Sequence, residues 1–360
     1  MTDTILLQYG ITNPHSIKSF GTGLINNTWL ISDVKGEFIL QKVNQEVFKK
    51  PLDIAGNIEK IGGYLSSHHH EYLFVKPVNT LDGNSMIRVN GEYFRMFPFV
   101  KNSHTNDVAE TPGQAFEASR QFALFTKNLD AFNLQELKIT LPDFHNLSLR
   151  FEHFKLACKN GDAERINEAE AEIYFLTGKK MIVSDYEKIK ISKGFHQRVT
   201  HHDTKISNVL FDNNEKGLCV IDLDTVMPGY FISDVGDMMR TYLSPVSEEE
   251  KDFDKIQVRD DYFKAIVEGY LSEMGTVLTP MELDFLVYSG MFLIYMQALR
   301  FLTDHLEMDR YYGAAYPGHN FVRAKNQIIL LKRLLEKETY FRQITKETIS
   351  GREGKFVSFV

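Results

Sequence analysis

The sequence predicts an α+β protein in two lobes: a small β-rich N-terminal lobe over residues 1–100 and a larger, mainly helical lobe over 101–360. Short strand-like runs parted by glycine and asparagine turns fill the first hundred residues. From about Thr111 onward, apolar residues recur at three- and four-residue spacing, the mark of a helix face. Between them Phe99 to Asp107 is polar and aperiodic, and the lobe boundary is placed there. A chain of 360 residues also exceeds what one simple core serves, so about two lobes are expected.

The elements follow in order. SIKSFGTGLINNTWLIS reads as strand, glycine turn, strand, and GEFILQKVN as a third strand opened by Lys35-Gly36. Pro51 starts a helix, PLDIAGNIEKIGGYLSSHHH, because its missing N–H costs nothing in a first turn. MIRVN and EYFRMFPFV are strands joined by the Asn90-Gly91 turn. In the larger part, GQAFEASRQFALFTKNL is a helix, and a helix pair follows, interrupted near Gly161. Glu249 to Glu336 is mostly helical, broken by Gly275, Pro280 and Pro317.

Composition narrows the function class. The 41 Lys and Arg against 48 Asp and Glu give a net charge of −7, which argues against a sequence-independent grip on nucleic acid. No apolar run approaches the ~18–20 residues of a membrane span. MTDTILLQYGI lacks the basic start and long apolar stretch of a secretory leader. Cys158 and Cys219 make no disulfide framework. The expectation is a cytoplasmic protein, monomeric or weakly self-associating, with neither nucleic acid nor membrane as partner.

The chemistry gathers in two segments, HHDTKISNVLFD and VIDLDT. Asp203 stands five positions before Asn208, and Asp222 ends an apolar strand. Phosphoryl transfer needs a carboxylate beside the attacking hydroxyl and oxygen ligands for magnesium. Asp203 fits the first need, Asn208 and Asp222 the second, since magnesium keeps several waters and is satisfied by few protein ligands. A loop Asp capping a turn is the plain alternative. Asp224 reads as a second ligand or a supporting carboxylate, and Lys205 as a phosphate contact or a solvated cation. Asp234 and Asp237 read as structural residues of a helix start.

Gly21 and Gly23, in FGTG between two strands, allow backbone amides close to phosphates, although most such turns only close a hairpin. Lys42 on the third strand is the candidate phosphate-contacting lysine, with Glu59 on the following helix as its partner. His68, His69 and His70 end a helix and do not share one face, so they are not read as a metal site. Late in the chain, ALRFLTDHLEMDRYYGAAYPGHN carries Arg300, Asp304, Tyr311 and Tyr312, residue types that bind sugars. From residue type alone, a helix with a solvated face is the favoured reading.

HHDTKISN and VIDLD resemble the base and metal loops of the aminoglycoside phosphotransferase and choline kinase superfamily. INNTWLI, FILQKVNQEVFKKP, VIDLDTVMPG, DVGDMMR and ALRFLTDHL narrow the resemblance to the N-acetylhexosamine 1-kinase group, across nearly the whole chain. The resemblance implies a protein-kinase-like fold. It implies ATP- and Mg2+-dependent phosphorylation of the anomeric hydroxyl of GlcNAc or GalNAc, with the sugar and ATP as partners. Asp203 would be the base, Asn208 and Asp222 the metal ligands, and Arg300 a sugar contact. Adenine would lie under Arg95 to Val100, against Met96, Phe97, Phe99 and Val100. Two points depart from the pattern the resemblance implies: His202 precedes the base where superfamily members often carry Gly or Asn, and Lys42 is the basic residue of the third strand where the group carries Arg, which counts against the Lys42–Glu59 pairing. The competing readings are a kinase of choline, homoserine or an aminoglycoside, and a catalytically dead binding module.

Overall fold

The computed structural model describes residues 2–21 and 25–357. Helix α1 (Thr2–Gln8) precedes β1 (Ser16–Ser19), β2 (Asn27–Asp33) and β3 (Gly36–Lys42). Helix α2 (Pro51–His68) then intervenes before β4 (Ile87–Val89) and β5 (Glu92–Pro98). The strands form one antiparallel sheet in the order β1-β2-β3-β5-β4; the turn signals account for the β1-β2, β2-β3 and β4-β5 hairpins, and the β3–β5 pairing joins them.

Strand register decides which side chains meet. Gln41 lies opposite Arg95, and Lys42 opposite Phe94. Alternation along a strand puts Gln41 and Arg95 on one face and Leu40, Phe94, Met96 and Lys42 on the other. That second face is covered by α1, where Ile5, Leu6 and Tyr9 pack with Ile31, Leu40, Phe94 and Met96.

Helix α2 packs elsewhere. Its Ile54, Ile58, Ile61 and Leu65 join the core of the larger part, with Phe122 and Leu129 among the members. Asn57, 1% exposed, donates through Nδ2 to the carbonyls of Lys138 at 2.9 Å and Val226 at 3.1 Å, and its Oδ1 accepts from Lys138 N at 2.8 Å. A helix that follows the third strand in sequence thus belongs to the larger core by packing.

The stretch after β5 holds a two-residue strand, β6 (Ser103–His104), paired with Phe211 and Asp212 rather than left aperiodic. Helix α3 (Pro112–Asn128) starts with a capping box: Thr111 Oγ accepts from Gln114 N, and Gln114 Oε1 accepts from Thr111 N. The expected helix pair is a series, α4 (Leu147–Asn160), α5 (Ala163–Glu168), α6 (Glu170–Gly178) and α7 (Met181–Ile191). The break at Gly161 has a steric reason. A Cβ there would lie 2.6 Å from the Ala157 carbonyl oxygen and 2.7 Å from that of Leu306.

Strand β7 (Arg198–Thr200) pairs with β10 (Met227–Gly229), and β8 (Val209–Asp212) pairs with β9 (Gly217–Val220). The two loops singled out in the sequence lie between these strands. Below them pack α8 (Phe231–Tyr242), α9 (Asp260–Met274), α10 (Pro280–Asp284), α11 (Leu286–Leu306), α12 (His319–Glu336) and α13 (Glu338–Val357). Helix α11 has the length and hydropathy to cross a membrane, but 83% of its apolar window is buried in this core.

Asn57→Ala is expected to destabilise the fold by roughly 1–3 kcal/mol, because it leaves the buried Val226 carbonyl without its Asn57 donor. Urea unfolding of the variant against the parent measures this. An unchanged midpoint would show that α2 does not depend on the bond.

Candidate active site

The residue before Asp203 shows how the loop is held. His202 has φ +66, a left-handed conformation that costs a side chain energy and suits Gly or Asn. Two acidic residues of α8 hold it. Asp234 accepts from the backbone N–H of His201 at 3.0 Å and of His202 at 2.7 Å. Asp237 accepts from Thr204 N at 2.8 Å. Thr204 Oγ donates to the Asp234 carbonyl at 2.7 Å, and Tyr242 OH donates to the Thr204 carbonyl at 2.5 Å. Asp234 and Asp237 are structural, as expected, and what they build is the loop that presents Asp203. The ring of His202 fills the space beside Gly229, where a Cβ would lie 2.4 Å from its Nε2. Burial lowers the His202 pKa to about 4, so the imidazole is neutral near pH 7.

Asp203 is partly exposed beside three neighbours. Asn208 Nδ2 donates to its carbonyl at 2.8 Å and to its Oδ2 at 3.1 Å. Lys205 Nζ is 3.3 Å from the same Oδ2. With its amide nitrogen committed to Asp203, Asn208 turns its side-chain oxygen elsewhere. Its backbone carbonyl accepts from Ile221 N at 2.9 Å and so ties the base loop to the loop of Asp222.

Asp222 also has a left-handed backbone, φ +60. Its pKa is pushed up to about 7, first by burial and then by Asp224 and Asp203, while Arg95 and Lys205 oppose the rise. The excess negative charge of Asp222, Asp224 and Asp203, with Asp222 open to solvent and the buried Asn208 beside Asp203, suits a small hard cation that keeps its own waters. Among the described residues no group of three His, Cys, Asp or Glu offers a fuller cage.

Asp224 does not join those oxygens. Its carboxylate pairs with Arg95 Nη1 and accepts from Asn26 Nδ2 at 2.8 Å. Arg95 in turn donates through Nε at 3.0 Å and Nη2 at 2.9 Å to Gln41 Oε1. Both charged side chains of the pair are 2% exposed. The sequence reading missed Arg95 and Gln41. Strand alternation was the available signal: it points Gln41, not Lys42, the same way as Ile39.

Lys42 lies on the opposite face and pairs with Glu92 at 2.5 Å. Glu59 instead accepts from Ser85 Oγ, so the Lys42–Glu59 pair does not form. Gly21 has φ +77, which suits glycine at the turn, and Gly23 lies outside the described residues. Phe97 is on the face of Arg95, whose Cζ is 5.1 Å from its ring centre. Phe99 meets Phe20 edge-on at 6.0 Å. Val100 contributes its carbonyl to Ser103 Oγ at 2.7 Å. Met96 is buried under α1 on the far face, and its carbonyl accepts from Val78 N at 2.7 Å.

On the other side of Asp203, His145 stands 5.3 Å from the His202 ring and stacks on Phe144 at 4.4 Å. Arg300 Cζ lies 5.7 Å from the Phe144 ring centre, 5.4 Å from Tyr312 and 6.0 Å from Tyr311. Arg300, Phe144 and His145 therefore form a continuous wall to the base loop. The His145 pKa is lowered first by burial and then by His202, Arg300, Arg240 and Arg150, so its imidazole is neutral near pH 7. The Nδ1 of His145 is buried without a partner. A cavity of about 90 Å³ opens between Arg150, Arg300, Thr303, Glu307, Tyr311 and Tyr312. Asp304 is at its edge, but its carboxylate is occupied by Tyr311 N at 2.7 Å, Tyr312 N at 2.9 Å and Asn320 Nδ2 at 3.0 Å. It shapes the Tyr311–Tyr312 turn. The Tyr311 ring is 71% exposed.

Known proteins share this arrangement of lobes. The model of the phosphotransferase enzyme family matches residues 16–265. A microcompartment-associated aminopropanol kinase superposes with a TM-score of 0.67, at 17% identity over 93% of this chain and 97% of its own. An aminoglycoside phosphotransferase from Alicyclobacillus acidocaldarius superposes with a TM-score of 0.62, at 12% identity over 95% of each chain. A choline kinase from Streptococcus pneumoniae gives 0.53, at 11% identity over 93% of this chain and 99% of its own. At these identities the likeness is one of fold.

Asp222 gives the cleft a pH signature. Its folded pKa of about 7 lies above that of an exposed carboxyl, so its stabilising contribution is full at low pH and is lost as pH rises through about 7. Without divalent metal, the melting temperature is expected to fall between pH 6 and 8, and Asp222→Asn to flatten the fall. Added magnesium should raise the parent's melting temperature more at pH 8 than at pH 6. A magnesium shift that survives Asp222→Asn would place the ion elsewhere.

Proposed function

The chain belongs to the phosphotransferase enzyme family, and on that premise we propose that it moves the γ-phosphoryl group of ATP, with magnesium, to the C1 hydroxyl of an N-acetylhexosamine. GlcNAc or GalNAc would become its 1-phosphate. The observation that carries the reading is the convergence of Asp203, Asn208 and Asp222 at one end of a wall that leads through His145 and Phe144 to Arg300.

The roles follow from the chemistry of each group. Asp203 orients the C1 hydroxyl and takes its proton as the oxygen–phosphorus bond forms and the bond to ADP breaks. Asn208 fixes the Asp203 carboxylate and, with Asp222, would hold magnesium. The chemistry that ion supplies is neutralisation of the charge on the bridged phosphates. Lys205, beside Asp203, is placed to meet a phosphoryl oxygen. Phe97 and the backbone of Phe99 and Val100 would flank adenine, and the turn at Gly21 the phosphates. Arg300 offers a planar fork for two sugar oxygens and Tyr311 an aromatic face. The unpartnered Nδ1 of His145 supports a polar acceptor at this spot.

Charge separates the substrates. Arg150 and Arg300 line the cavity with Glu307, and two guanidiniums against that one carboxylate disfavour an ammonium group. This counts against a polycationic aminoglycoside, and against the amino alcohols suggested by the aminopropanol and choline kinases of similar fold. A neutral sugar meets no such penalty. The test is a panel of sugars, amino alcohols and aminoglycosides incubated with ATP and magnesium, scored by product mass and phosphorus NMR. Phosphorylation of an amino alcohol and of no sugar would reject the reading.

Asp203→Asn is expected to lower turnover by roughly two to four orders of magnitude, with nucleotide binding kept. Near-normal turnover would remove Asp203 as the base. Arg300→Lys keeps the charge and loses the fork, so KM for the sugar should rise about tenfold with little change for ATP. A lowered melting temperature with an unchanged sugar KM would make Arg300 a packing residue.

A further inference from the structure

Kinases of this architecture carry on their third strand a lysine that grips phosphate and an acidic partner. Here that strand has no cation on the cleft face. Its cleft-facing residue is Gln41, and Lys42 points away to Glu92 at 2.5 Å. The buried cation on that face is Arg95, which stands directly opposite Gln41 on β5. Resting on the kinase reading, we propose that Arg95 is the positioning cation of this cleft, fixing Asp224 and the turn that carries Asp222 and turning its charge toward the nucleotide phosphates.

Several contacts carry the inference. Arg95 is 1% exposed, and burying a guanidinium is costly unless its partners are well made. Gln41 supplies one partner by accepting both Nε and Nη2, and this fixes the plane of the fork. Asp224 supplies the other through Nη1. The same carboxylate accepts from Asn26, whose Oδ1 accepts from Asn44 N at 3.0 Å. The pair therefore joins the end of the glycine turn, the exit of β3, β5 and the metal loop at one carboxylate. Asp224 lies two residues beyond Asp222 in the short helical turn Leu223–Thr225, so the pair fixes the backbone next to Asp222. A simple staple between lobes would share the contacts but would leave nucleotide affinity untouched.

The test is Arg95→Gln/Asp224→Asn, read by calorimetric binding of ADP with magnesium, by ATP turnover and by melting temperature. Removing both charges leaves no unpaired buried ion, so the fold is expected to persist. ADP affinity and kcat/KM for ATP should each fall about tenfold or more, while the acceptor KM stays within about twofold. A folded double variant that binds ADP as the parent does would overturn the proposal and leave the pair as a staple. Should the double variant not fold, Gln41→Lys/Arg95→Gln decides, because it returns a cation to the third strand on the same face. Parent-like ADP affinity, within about threefold, then supports the proposal, and a larger loss in the folded swap overturns it. A parent protein that bound no ADP would defeat the kinase reading itself; acceptor identity has no part in the binding measurement.

Discussion

The ion pair of Arg95 and Asp224 is the contact on which the cleft depends. Both partners are withdrawn from water, so each is tolerable only while the other is present. Losing one partner of such a pair costs roughly 3–5 kcal/mol, because the survivor stays charged and buried. The orientation of the fork then sets Gln41, and the carboxylate sets Asn26. The sheet of the small lobe and the loop of Asp222 thereby keep one relative position. Metal affinity depends on that position, because the two oxygens proposed to hold magnesium come from Asn208 on one loop and Asp222 on the other.

Helix α8 plays the matching part for the loop of Asp203. Asp234 and Asp237 accept three backbone N–H groups from the segment 201–204. Those bonds offset the strain of a histidine at a left-handed position, a cost of about 1–2 kcal/mol. Asp237 is balanced by Arg240 at 2.9 Å, and Arg240 continues to Glu248 at 2.7 Å. Glu248 in turn pairs with Arg323 on α12. The loop of Asp203 is thus anchored through a chain of charges that ends at Arg323, whose Cζ lies 5.4 Å from the Tyr312 ring of the proposed acceptor site.

Much of this was legible in the sequence where local chemistry is self-contained. The strands, the proline-started α2 and α3, and the spacing of Asp203, Asn208 and Asp222 all emerge from patterns that span a few residues. What was not legible depends on pairing across strands. Lys42 looked like the phosphate lysine because it is the basic residue of the third strand, yet alternation turns it outward. Arg95 gave no local sign of importance, since its partners Gln41 and Asp224 are 54 and 129 positions away. Asp304 had the composition of a sugar ligand, but its oxygens are claimed by the turn that follows it. The helix break at Gly161 was visible, whereas its cause, the close carbonyl of Leu306, was not.

The docking of α2 bears on control. In protein kinases, regulation often works through the helix after the third strand, which swings to make or break its pairing with the lysine of that strand. Here Glu59 of α2 faces Ser85, and Asn57 bonds the helix to the segments at Lys138 and Val226. An outward swing would break those bonds and expose Ile54, Ile58 and Ile61 to water. That on–off lever is therefore soldered shut. Control exerted through this helix would first have to break the packing of the larger core.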